Sequence, residues 1–225
     1  MKPLAPLAVL HLAFFLVLIP WLVLRQRRLT PQPDPAQRIQ RYRSACMQLT
    51  VFGLFSWLVA WRLAIPLWGA PRQPLLAWGG AAALVALYYF GLAPYRRHRI
   101  RRRDARAFMT APGPGELGWW ALVSLCAGVA EELTYRGVAS AILLYAGLPA
   151  WAVVLLVSTA FGLAHANRGP IHVAATFGIG ALLHVLVLAT GSLWPAMATH
   201  AVYDFLAGRS YGRLARAAEA QPELR

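Results

Sequence analysis

The stretch Cys126 to Gly137, CAGVAEELTYRG, sets Glu131, Glu132 and Arg136 inside a run of residues 118–146 that is otherwise apolar. A charged side chain at the centre of a bilayer costs about 3 kcal/mol on insertion scales, so such residues are rare and are kept for use. A third carboxylate, Asp204, sits in the later apolar stretch ATHAVYDF, so three of the eight acidic residues fall at membrane depth. The working part of the chain is therefore sought around these three groups.

The surrounding composition supports a membrane reading. The 225 residues are 59% hydrophobic and 13% charged, with a mean hydropathy of +0.50, against about 45 to 50% apolar and about 25% charged for a soluble domain. Apolar stretches at 5–24, 46–69, 75–95, 118–146, 150–167, 171–190 and 192–208 each approach or exceed the roughly 17 to 25 residues that a spanning helix needs. The expected fold is all-α: a polytopic transmembrane helix bundle of about seven helices, with its working core in the fourth to seventh. Residues 1–117 would supply the first three helices and basic loops, 118–208 the working helices, and 209–225 a cytoplasmic tail.

A net charge of +14 invites a nucleic-acid reading, which the placement of the charges excludes. If the helices alternate across the bilayer, the basic residues of 25–43 and 96–106, Arg168, and those of 209–225 fall on one side, 18 of the 22. That is the positive-inside pattern, with the N-terminus outside and the C-terminus cytoplasmic. The basic loops would meet anionic lipid headgroups, so the lipid bilayer is the expected partner. Cys46 and Cys126 lack the spacing of a disulfide framework or thiolate metal site. The first apolar segment, with its arginines after rather than before it, reads as an uncleaved anchor.

Polar groups concentrate in the second half: Glu131, Glu132, Arg136, His165, His172, His184, His200 and Asp204. With Gly147-Leu148-Pro149 as a turn, Glu131 and His165 each lie 15 residues from it on successive helices, about 22 Å deep at 1.5 Å per residue. On the last helix His200 and Asp204 lie about 12 and 18 Å down. Glu132 and Arg136, Phe161 and His165, and His200 and Asp204 are all i,i+4 pairs, so each pair shares a face. Arg136 would neutralise a glutamate and Asp204 would orient His200. Gly128 and Gly137 bracket the glutamates and would permit close helix packing or a distortion. His172 and His184, taken singly, read as interhelical hydrogen-bonding groups, and Thr134 and Tyr135 as packing residues.

Glu131-Glu132-x-x-x-Arg136-Gly137, Phe161-x-x-x-His165 and His200-x-x-x-Asp204, in that order, resemble the motifs of the CPBP family: the type 2 CAAX prenyl proteases and their bacterial Abi relatives. One such string alone would be weak; three in order carry the resemblance, over about residues 118–208. It implies an intramembrane endopeptidase that cleaves a membrane-associated protein or peptide near its C-terminus. By that resemblance Glu131 and His165 hold and activate water, His200 and Asp204 line the oxyanion site, and Glu132 and Arg136 support the first motif. The family has Asn or Asp at the last position, and an ionised Asp204 would repel an oxyanion.

The chemistry is coherent on its own terms, because a glutamate in a dry cavity can take a proton from water and return it to a leaving amine. Zinc held by Glu131, His165, His200 and Asp204 is the alternative; HExxH is absent, and the expectation is catalysis without a cofactor. Two other classes use the same residues: an ion-coupled permease, which should show repeated broken helices, and a non-catalytic scaffold or immunity protein. Richness in Ala, Leu and Arg without a cytosolic domain points to a bacterial cytoplasmic membrane.

Overall fold

The computed structural model describes residues 5–26, 35–102, 104 and 111–220. Lys2, Arg27, Arg28, Arg103, Arg106 and Arg225, which enter the charge count above, lie outside the described residues. Among the described residues there are helices and no strands. In chain order they are α1 (Pro6–Arg25), α2 (Pro35–Arg62), α3 (Pro74–Gly91), α4 (Ala93–Arg101), α5 (117–145), α6 (Ala150–Leu163), α7 (Pro170–Thr190) and α8 (Trp194–Glu219). Pro6, Pro74, Pro170 and Pro195 stand in first turns, where a missing N–H costs nothing and a fixed φ suits the helix.

Four stretches, Pro6–Arg25, Gln37–Arg62, Pro74–Arg101 and Pro170–Thr190, are long and apolar enough to cross a membrane, and Ala150–Leu163 is apolar but shorter. The outer surface suits lipid: Val17 is 66%, Met47 69% and Leu75 92% exposed, on faces that water would not tolerate as a continuous patch. This is an integral membrane protein of helical-bundle type.

Helix α5 is the hub, packed against α2 on one side and α8 on the other, while α6 pairs with α7 and α3 closes over α7 and α8. The crossing of α5 and α8 is tight because Gly128 has no side chain: a Cβ there would lie 2.8 Å from the Ala201 Cβ and from the Met197 carbonyl oxygen. Close approach through small residues is how helices associate where lipid removes the hydrophobic drive. Beyond Glu132 the helix widens into a π-helical turn, Leu133–Ala139, before resuming as Ser140–Tyr145. The Ser140 hydroxyl donates to the Tyr135 carbonyl at 2.7 Å, taking up a backbone acceptor within the widened turn, and such turns recur at functional sites.

One feature departs from the sequence reading and another extends it. The first three helices were expected to carry almost no intramembrane polar groups, yet His11 Nε2 is 3.1 Å from Ser56 Oγ, which in turn hydrogen-bonds Thr134 Oγ1 at 2.8 Å. Thr134 is thus tied to α1 and α2 rather than merely packed, and a lone histidine and serine in apolar runs gave no periodic signal of it. The segment from residue 209, read as a cytoplasmic tail, continues α8 as a helix through Glu219. Tyr211 and Ala215, four apart and on one face, bury against Ile100 and Ala111.

Candidate active site

The site begins with the end of α6. Its last carbonyls lack intrahelical partners, and because the His165 N–H bonds the Gly162 carbonyl, the Phe161 carbonyl is left open. His165 Nδ1 reaches it at 2.9 Å. A carbonyl only accepts, so Nδ1 carries the hydrogen and Nε2 is left with its lone pair. The chain then turns through Ala166–Arg168 to Gly169, whose φ of 102° suits glycine alone, and α7 starts at Pro170.

Phe161 also organises its neighbours. The Arg136 guanidinium stands 4.3 Å from the centre of its ring, and the rings of His165 and His200 lie 4.9 and 5.9 Å from it, both edge-on. The second motif therefore touches the first and third through one aromatic ring.

Glu132 is the anchor of the polar cluster. Its Oε1 accepts from Arg136 Nη1 at 2.8 Å and from His200 Nδ1 at 2.8 Å, and the side chains of Glu132 and Arg136 are fully buried. With Nδ1 so engaged, His200 presents Nε2 to two further carboxylates, Glu131 Oε2 and Asp204 Oδ2, each 3.7 Å away. Glu131 keeps 21% and Asp204 31% of its side-chain surface exposed. The orientation of His200, expected from Asp204, comes instead from Glu132 on the facing helix. The i,i+4 rule sees only one helix, and the crossing at Gly128 supplies the nearer acceptor.

Asp204 is placed from the backbone: the Trp120 indole N–H donates to its carbonyl oxygen at 3.0 Å. Gly208, one turn on, leaves room for the indole, which a Cβ there would strike. His184 takes up the interhelical role read from the sequence, with Nε2 3.0 Å from Ser140 Oγ. His172 faces His165 at 6.2 Å between rings.

Two cavities meet here. A large one of about 890 Å³ is lined by Glu131, His165 and Asp204, with Phe15, Ile19 and Phe52 of α1 and α2 forming its apolar wall and Arg25, Arg41 and Arg168 also lining it. A smaller one of about 80 Å³ is lined by His200 together with His165 and Asp204. The cavity-lining part of α1 and α2 had no signal in sequence, since an apolar residue facing a cavity looks like one facing lipid. Among the described residues no group of three His, Cys, Asp or Glu side chains is arranged to hold a metal ion.

Glu, His and Asp side chains that line an internal cavity of a helical membrane bundle are groups able to bind and polarise water or a polar ligand. Residues 113–206 match the family model described as Rce1-like, type II CAAX prenyl endopeptidase, a span that contains all three motifs. Over this segment the chain is similar to the CAAX prenyl protease, or CPBP, family. No curated protein and no solved structure matches the chain.

Proposed function

We propose that the protein is a glutamate-type intramembrane endopeptidase that cleaves a membrane-associated protein or peptide near its C-terminus. The observation that carries the reading is the arrangement of His200. Glu132 fixes one nitrogen while Glu131 and Asp204 flank the other, at the boundary of a cavity large enough for a peptide and an apolar group.

In this mechanism a water lies between Glu131 and His165, both of which line the large cavity. One water hydrogen is held by the His165 Nε2 lone pair and the other passes to Glu131 as the water oxygen attacks the scissile carbonyl carbon. The carbonyl oxygen becomes an oxyanion and takes a hydrogen bond from His200 Nε2–H. Asp204 can serve as a second donor only while it carries a proton, a role an asparagine at this position would fill in any state. When the C–N bond breaks, Glu131 returns its proton to the leaving amine. Glu132 and Arg136 touch no substrate and hold His200 in place.

Seven spans complete the reading, with α5, α6 and α8 crossing alongside the four apolar stretches. The N-terminus is outside, and the site opens to the cytoplasm of a bacterial cell. No metal takes part. The test uses purified protein in detergent and a lipid-acylated fluorogenic peptide with an apolar C-terminus. Wild type should hydrolyse one peptide bond, and Glu131→Gln should fold normally and show less than about a thousandth of that rate. Substantial turnover by the variant removes Glu131 from the role of base. One zinc per chain, required for activity on elemental analysis and chelation, replaces this mechanism with a metal-dependent one.

A further inference from the structure

The small cavity is lined by three arginines that the mechanism does not use, Arg96, Arg99 and Arg168. Arg96 and Arg99, at the end of the chain's third apolar hairpin arm in α4, line it together with Tyr88, Tyr203 and the catalytic His200 and Asp204. Both arginines are out of water, 3% and 4% exposed. Arg96 lies over the Tyr89 ring, 4.7 Å from its centre, and donates through Nη2 to the Tyr89 carbonyl. Arg99 Nε donates to Asp104 at 2.8 Å.

Those contacts leave much of each guanidinium open. Arg96 Nε, Arg96 Nη1 and Arg99 Nη2 are buried and have no hydrogen-bond partner. Among the described residues no carboxylate lies within ion-pair distance of Arg96. A buried cation without an acceptor is costly, and the cost is removed by an anion that fills the place. Guanidinium groups suit carboxylates best, through paired N–H donors. The space, about 80 Å³, fits a carboxylate and part of the residue bearing it, not a folded segment.

We infer that this cavity is a carboxylate subsite in which Arg96 and Arg99 bind the free C-terminal carboxylate of the substrate. The inference rests on the protease reading and deepens it. His165, Asp204, Trp120 and Arg168 line both cavities, so a peptide crossing that boundary would have its apolar body in the large cavity and its end in the small one. The scissile bond then falls between them, a short distance from the C-terminus. Measuring from the end of the chain rather than reading side chains is how such a site would cut substrates of varied sequence at a fixed position.

The test compares one lipid-acylated fluorogenic peptide as its C-terminal acid and as its amide, with protein in phosphatidylcholine nanodiscs. Wild type should cleave the acid with at least roughly tenfold higher kcat/KM, the range expected for a charge-assisted hydrogen bond. Arg96→Gln and Arg99→Gln should lower the rate on the acid by about tenfold and the rate on the amide by much less, erasing the preference. Equal cleavage of acid and amide by wild type overturns the inference, as does an equal loss on both substrates in the variants. Thermal unfolding reports whether the Gln variants fold; should they not, Arg96→Lys and Arg99→Lys, which keep the charge and lose the fork, should retain a reduced preference. Binding of an apolar tripeptide acid and its amide to Glu131→Gln separates the two readings. If wild type cleaves neither peptide but the acid alone binds, the protease reading fails and the subsite stands. Equal binding sinks the subsite. If instead phosphatidylglycerol, and not the tripeptide acid, raises the unfolding temperature of wild type but not of Arg96→Gln, the cavity holds a lipid phosphate and the inference is overturned.

Discussion

At Glu132 Oε1 two donors meet, Arg136 and His200, each at 2.8 Å. Removing the carboxylate strands a buried guanidinium and frees an imidazole together. Glu132→Ala should therefore destabilise by about 3 to 5 kcal/mol, the usual result of breaking a buried pair from one side. It should appear as a lowered unfolding temperature in detergent along with lost turnover; an unchanged unfolding temperature contradicts the anchoring role. Asp204 should behave differently, because only its hydrogen bond to the substrate is at stake. Asp204→Asn, an amide that always donates, should keep turnover within roughly tenfold, while Asp204→Ala should lose about 10²- to 10³-fold, as should His200→Ala. A dead Asn variant with active Ala would reverse the assignment. At this scale the sequence singled out the residues that the structure brings together, since intramembrane charge is conspicuous, and the Glu132 and Arg136 pair followed from i,i+4 spacing. It did not show that Glu132 also holds His200, because that contact crosses between helices.

Among the helices, α5 decides the site, since it must lie close enough to α8 for Glu131 and Glu132 to reach His200. Gly128 provides that distance, with a Cβ placed only 2.8 Å from Ala201 and the Met197 carbonyl. Gly128→Ala should cost about 1 to 3 kcal/mol through overpacking, and should lower kcat more than it raises KM, because it moves the two halves of the catalytic group apart. Parallel measurement of unfolding and steady-state kinetics checks both; a stable variant with wild-type kcat would show that the crossing is loose. The helices themselves were legible from hydropathy: each of the seven apolar runs carries a helix, although the second stops at Arg62, short of the end of its run. The π-helical turn at Leu133–Ala139 was not, although Gly128 and Gly137 left room for a distortion. A widened turn is fixed by what lies across from it, here Ser140 bonding back to Tyr135, and no propensity of Leu133 to Ala139 announces it.

For the molecule as a whole, what matters is the side from which substrate and water arrive. Arg168 follows α6, three residues beyond His165, and lines both cavities. Basic residues gather on the cytoplasmic side because they resist transfer across the membrane, so the cavity mouth with Arg25, Arg41 and Arg168 should face the cytoplasm. The native thiols complicate labelling: Cys46 and Cys126 are both free and partly buried. With both replaced by alanine, Arg168→Cys should react with a membrane-impermeant maleimide in inverted vesicles and not in intact cells. Reaction in intact cells alone would turn the protein over in the membrane. The cleavage chemistry at Glu131 and His200 would survive such an inversion, but the substrate's C-terminus would then have to be presented from outside.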